Sequence, residues 1–161
     1  MIEEKRLISS HELFDMIEEQ LAENRQVVFA VTGMSMWPFI CHGRDQVVLT
    51  KCSVNSLKRG DIVLWKTPLG EYILHRVTQI LPDYIETTGD GNCFRDGLIH
   101  KTYIKARVKT IIRKDKSIEC DCFYWKMIFK IWMLLFPIRK VLLIILCDIS
   151  KIRDKVRKAF L

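Results

Sequence analysis

One serine, one histidine and two aspartates are spaced along this chain as the parts of a nucleophile system would be. Ser35 lies in Val31-Thr32-Gly33-Met34-Ser35-Met36-Trp37-Pro38, directly after the apolar run Val27–Val31. A serine hydroxyl is a poor nucleophile at neutral pH, so it needs a base and a turn that exposes its oxygen. Gly33 frees the backbone ahead of it and Pro38 fixes the exit. His75 falls in the strand-like run Tyr72–Val77, where an imidazole can take the Ser35 proton and return it to a leaving amine. Asp90 and Asp96 follow in a polar loop opened by Gly89-Asp90-Gly91-Asn92. A carboxylate on the far side of the imidazole would fix its tautomer and stabilise the imidazolium. Asp96 is the expected third member and Asp90 its competitor, although Asp90 also suits a turn residue that bonds its own backbone. Taken singly, Ser35 reads as a turn serine and His75 as a half-buried strand histidine. His11, His42 and His100 are expected at the surface or in packing.

The same pieces carry a family resemblance. Gly-x-Ser-Met-x-Pro at Gly33–Pro38, Gly-Asp-Ile-Val at Gly60–Val63, His-Arg-Val at His75–Val77, and Gly-Asp-x-Asn at Gly89–Asn92 with Asp96 four residues on occur in that order. This arrangement resembles signal peptidase I and its relatives over about residues 27–112. In the bacterial branch a lysine stands before the Arg-Val pair; here that place is His75, as in the endoplasmic-reticulum and archaeal-type branch. The resemblance therefore implies a Ser-His system with aspartate support. It also implies an oxyanion hole built from the Ser35 N–H and a second donor, with Gly33 where some relatives place a serine side chain. Met36, Trp37 and Phe39 then match an apolar lip, with Trp37 expected to be the exposed one. Gly33, Met34, Met36 and Trp37 are the expected oxyanion and substrate-binding residues. No cofactor and no metal are called for. A self-cleaving repressor-type protease of the same superfamily would need a lysine base and a preceding DNA-binding domain, and a non-catalytic module of the same fold is the remaining alternative.

Positioning such residues takes a sheet. Strand patterns cover Gln26–Val31, Gln46–Lys51, Asp61–Lys66, Tyr72–Leu81, Tyr84–Thr88, Lys101–Arg113 and Ser117–Cys120, with Gly-, Pro- and Asp-containing turns between them. Many short strands predict a mainly β fold of coiled antiparallel sheets with barrel-like closure. Three segments are expected: an amphipathic helix within 1–26, a β-rich peptidase domain at 27–122, and a helical tail at 123–161. Leu13, Phe14, Ile17 and Leu21 form the stripe of the first helix, and Ser9 with Glu12 has capping-box spacing.

Charge separates the tail from the body. Residues 1–122 carry 17 Lys+Arg against 17 Asp+Glu, whereas residues 123–161 carry 9 against 2, so the net charge of +7 sits on the tail. Cations among aliphatic runs suit an anionic membrane surface rather than nucleic acid. Met127–Ile149 would reach roughly 35 Å as a helix, but Lys130, Pro137, Arg139 and Lys140 argue against a simple span. Met1–Gln26 lacks an apolar signal region, and the spacing of the six cysteines fits no paired zinc pattern. The reading is a membrane-associated serine endopeptidase with reduced thiols, acting on a peptide or preprotein, with the cytoplasmic face favoured for processing of leader peptides and the outer face required for classical export processing.

Overall fold

The computed structural model describes the backbone of residues 10–114 and 116–159, and the side chains of residues 12–114 and 116–151. Ser9 and the side chains beyond Lys151 lie outside these. Helix α1 (Ser10–Ala22) precedes strands β1 (Val27–Ala30), β2 (Asp45–Thr50), β3 (Ile62–Lys66), β4 (Tyr72–Ile80), β5 (Tyr84–Thr88), β6 (Leu98–His100), β7 (Ile104–Arg113) and β8 (Lys116–Glu119). Helices α2 (Phe123–Leu134) and α3 (Arg139–Ala159) follow, separated by a short turn at Phe136–Ile138 that holds Pro137. The ring of Pro137 supplies no N–H and cannot continue the first helix, which is why the tail is two helices rather than one.

All strand pairs are antiparallel, in the order β1-β2-β7-β3-β4-β5-β6, with β8 beside β7. The path runs from β1 to β6 and does not return, so the sheet is open rather than closed into a barrel. β7 is the spine: its first half pairs with β3, and its second half, Thr110–Arg113, pairs with β8. The three-residue β6 escapes the sequence pattern because Gly97 precedes it and a turn of 3-10 helix at Lys101–Tyr103 follows it.

The sheet is buried on both faces at its centre. Alternation along β3 sends Ile62 and Leu64 to one core, with Leu49, Val108 and Ile111, and Val63 and Trp65 to another, with Val77, Ile85 and Ile99. This double burial explains why β3 reads as an unbroken apolar run. Helix α1 completes the first core through Ile17 and Leu21, with Phe14 against the same cluster. Glu18 anchors it, bonding Tyr72 and pairing with Lys105 at 3.0 Å.

The tail is not set apart from the body. Phe129 and Trp132 of α2 are buried, each edge-on to Phe39. Arg139, counted in the sequence as a charge within an apolar run, is fully buried against the loop after β5. No helix among the described residues is long and apolar enough to cross a membrane. The outer faces of α2 and α3 instead expose a row of apolar side chains, among them Phe123, Ile131, Leu134, Val141, Ile145 and Ile149.

Candidate active site

β4 delivers His75 and the loop after β5 delivers its partner. His75 Nδ1 lies 2.6 Å from Asp96 Oδ2, and both side chains are about nine-tenths buried. Thr87 of β5 donates its hydroxyl to the same Asp96 oxygen, while the Asp96 N–H bonds the Thr87 carbonyl at 2.9 Å. Asp96 is thus fixed from both its backbone and its side chain. With Nδ1 carrying the proton toward a carboxylate, Nε2 is left as the basic nitrogen.

Asp90 does a different job. Its carboxylate takes a two-pronged bond from Arg76, at 2.8 and 2.6 Å, and both side chains are fully buried. The third Arg76 nitrogen bonds the Gly60 carbonyl at 2.8 Å, and the guanidinium lies 3.8 Å from the centre of the Phe129 ring. The competition between the two aspartates is therefore divided by geometry: Asp96 meets the imidazole and Asp90 meets Arg76.

Ser35 is brought to the same loop by its backbone. The Gly91 N–H donates to the Ser35 carbonyl at 2.8 Å. A Cβ on Gly89 would lie 2.4 Å from that carbonyl and 3.0 Å from His75 Nε2; one on Gly91 would lie 3.0 Å from the carbonyls of Met34 and Trp37. Gly89 has no room for a side chain where the two loops touch, and at Gly91 the contact is tight. Gly33 has φ +86°, which glycine adopts without strain. Ser35 is an exposed residue whose hydroxyl makes no hydrogen bond to His75, but the two residues line one cleft of about 200 Å³. The Ser35 N–H donates to no backbone carbonyl among the described residues.

That cleft lies between β1 and β4. Phe29, Val31 and Thr32 form one wall, Tyr72, Ile73 and Leu74 the other, and Phe14 of α1 stacks on Tyr72 at 3.9 Å. Among the described residues β1 pairs only with β2, and Tyr72–His75 pair only with β3 on their other side, so both walls offer unpaired backbone there.

The apolar lip is distributed differently from the expectation. None of its three expected members is exposed: Trp37 and Phe39 are half-buried and Met36 is in the core at 2% exposure, while the exposed apolar residue of the turn is Met34. The turn that bonds the Trp37 N–H to the Met34 carbonyl rolls Met36 inward under β3 and leaves Met34 at the tip. Met34 and Trp37 share a groove of about 350 Å³ with Leu143, Cys147 and Ser150 of α3.

Sequence reasoning missed the support from the tail. Trp132 Nε1 donates to the Asp90 carbonyl at 3.1 Å, and Arg139 donates to the Gly89 and Asn92 carbonyls, both at 3.3 Å. Burial lowers the Arg139 pKa, with Asp90 opposing the shift and Arg76 adding to it. No local period relates the two, because Trp132 lies on α2 and Arg139 opens α3 beyond the break at Pro137. The cysteines at 41, 52, 93, 120, 122 and 147 are all free, and no group of three metal-ligating side chains occurs among the described residues. No protein-family model, curated protein or solved structure matches this chain.

Proposed function

We propose that the chain is a membrane-associated serine endopeptidase of signal-peptidase type that cuts signal or leader peptides through an acyl-enzyme. The observation that carries this reading is the 2.6 Å contact of His75 Nδ1 with Asp96, with His75 Nε2 turned toward the glycine on which the Ser35 turn rests. In this reading His75 Nε2 accepts the Ser35 proton as Oγ attacks the scissile carbonyl, and Asp96 stabilises the imidazolium. The undonated Ser35 N–H supplies one arm of the oxyanion hole. The protonated imidazole then passes its proton to the leaving amine, and water releases the acyl group by the reverse path. An extended substrate adds as a strand between β1 and β4, and the small cleft roofed by Phe14 favours small side chains before the cut. The mainly β architecture suits the signal-peptidase-like fold, although the sheet stays open.

Membrane association rests on the apolar row along α2 and α3, together with the basic character of the tail. The groove shared by Met34, Trp37 and α3 sets the Ser35 turn beside those helices. The decisive experiment is labelling with a fluorophosphonate probe and mapping of the adduct by mass spectrometry. A single adduct on Ser35, absent in Ser35→Ala, is expected. An unlabelled protein of native Tm would point instead to a non-catalytic module of the same shape.

A further inference from the structure

A cavity lies away from Ser35, between α2, the residues after β8 and the Lys58–Asp61 turn. Its volume is about 440 Å³, within the range of about 300–1,000 Å³ typical of small-molecule sites. Phe129, Met133, Leu134 and Cys120 give it an apolar interior, and burial pushes the Cys120 thiol up to about 12, so that wall is uncharged at neutral pH. The mouth is the opposite. Lys58, Arg59, Lys126 and Lys130 stand around it. Lys126 is paired with Asp121 at 2.9 Å, whereas Lys58, Arg59 and Lys130 make no side-chain ion pair among the described residues. The carboxylate among the lining residues, Asp61, already bonds the Lys58 backbone N–H at 2.9 Å and faces Arg107 at 3.7 Å. Three unneutralised cations over an apolar hollow repel one another until an anion joins them.

We propose that this cavity holds one acyl chain of an anionic membrane phospholipid, with its phosphate on Lys58, Arg59 and Lys130. Charge complementarity selects the headgroup and the apolar interior selects the chain. Position selects the source: Leu134 both lines the cavity and is 65% exposed on the apolar outer face of α2, so the mouth opens beside the row Phe123, Met127 and Ile131. A freely dissolved anion has no use for the apolar interior, and nucleic acid would offer nothing to fill it. The site goes beyond the peptidase reading and stands whether or not Ser35 is a nucleophile.

The test uses the full chain and a lysophosphatidylglycerol kept below its micelle concentration, titrated by calorimetry and counted by native mass spectrometry. One molecule per chain is expected, bound at least tenfold more tightly than the lysophosphatidylcholine of equal chain length, and more weakly as salt rises. The exposed double variant Lys58→Glu/Lys130→Glu should weaken binding at least tenfold, and Met133→Trp should block it by filling the hollow. Should Met133→Trp misfold by circular dichroism, the surface charge reversal decides alone. Equal binding of the two lipids, or charge reversal without effect, overturns the site and leaves only adsorption to the outer face. Fluorophosphonate labelling of the same samples reports on Ser35 separately, so a failure of either idea is visible by itself.

Discussion

Two carboxylates six positions apart in one loop do unlike work, and this separates what their loss should cost. Asp96→Asn removes the acceptor that orients His75, so the expected outcome is labelling slowed about 10²–10⁴-fold at an unchanged Tm. Asp90→Asn leaves the fully buried Arg76 without its counter-charge, a loss of about 3–5 kcal/mol that shows as a large fall in Tm. The reverse pattern would return the third role to Asp90. Gly89→Ala tests the close approach itself. Its Cβ would stand 2.4 Å from the Ser35 carbonyl, so the turn must move, and labelling should drop by at least about tenfold, as expected when a catalytic group is displaced by an ångström. Types and order along the sequence singled out Ser35 and His75, which the structure places on one cleft. They put Asp96 ahead of Asp90 only through the family resemblance, because which strand neighbour, His75 or Arg76, each loop position meets is decided in space. They misjudged Trp37 for a related reason: a tight turn decides which of several adjacent apolar residues faces outward, and Met34 rather than Trp37 took that place.

At the level of elements, the strand pattern was legible wherever side chains alternate or run apolar, as in β3 and β4. It failed at β6, too short to show a period, and at closure, which depends on edge pairing that no local pattern encodes. β2 is tied to its surroundings by one buried carboxylate. Asp45 accepts from the Cys41 N–H at 2.8 Å, from Arg44 at 2.7 Å and from Arg113 at 2.7 Å. Burial alone would raise its pKa; the bonds from Arg113, Arg44 and the Cys41 N–H outweigh burial, and the net shift is downward from 3.8. A carboxylate depressed in the folded state stabilises it fully above the unfolded pKa and loses that contribution as pH falls through the folded one. Asp45→Asn should therefore lower stability at pH 7 by about 1–3 kcal/mol, given arginine partners that are one-third exposed, and the gap to the parent protein should close below pH 3.8. Chemical denaturation at both pH values measures it, and a gap independent of pH would remove Asp45 from the acid response. α1 poses a question of selectivity instead. Phe14 narrows the cleft, so Phe14→Ala should widen acceptance of larger side chains before the cut, read from a peptide library.

Over the whole molecule, the tail does two things with two faces, and truncation can separate them. Its inner face belongs to the body: Phe129 and Trp132 are buried, Trp132 and Arg139 bond the Gly89–Asn92 loop, and Phe129 covers Arg76. Burying each of these aromatic side chains is worth about 1.5–3 kcal/mol, so a chain ending at residue 122 should unfold or aggregate and take up no probe at Ser35. Composition marked 123–161 as different but could not reveal this, since the contacts that bind it span more than forty residues of sequence. The outer face is another matter. A chain ending at residue 140 keeps α2 and Arg139 while losing Val141, Ile145 and Ile149 from the apolar row and five basic residues between 151 and 158. Cations near an anionic bilayer contribute about 1 kcal/mol each, partly offset here by the loss of Asp148 and Asp154. This shorter chain should therefore keep its labelling rate and Tm while binding anionic vesicles at least about tenfold more weakly in co-sedimentation. Loss of labelling in the chain ending at 140 would show that α3, through its groove with Met34 and Trp37, also holds the Ser35 turn. Undiminished vesicle binding would place the membrane contact on α2 alone, where Phe123, Met127, Ile131 and Leu134 remain exposed beside the cationic mouth of the cavity.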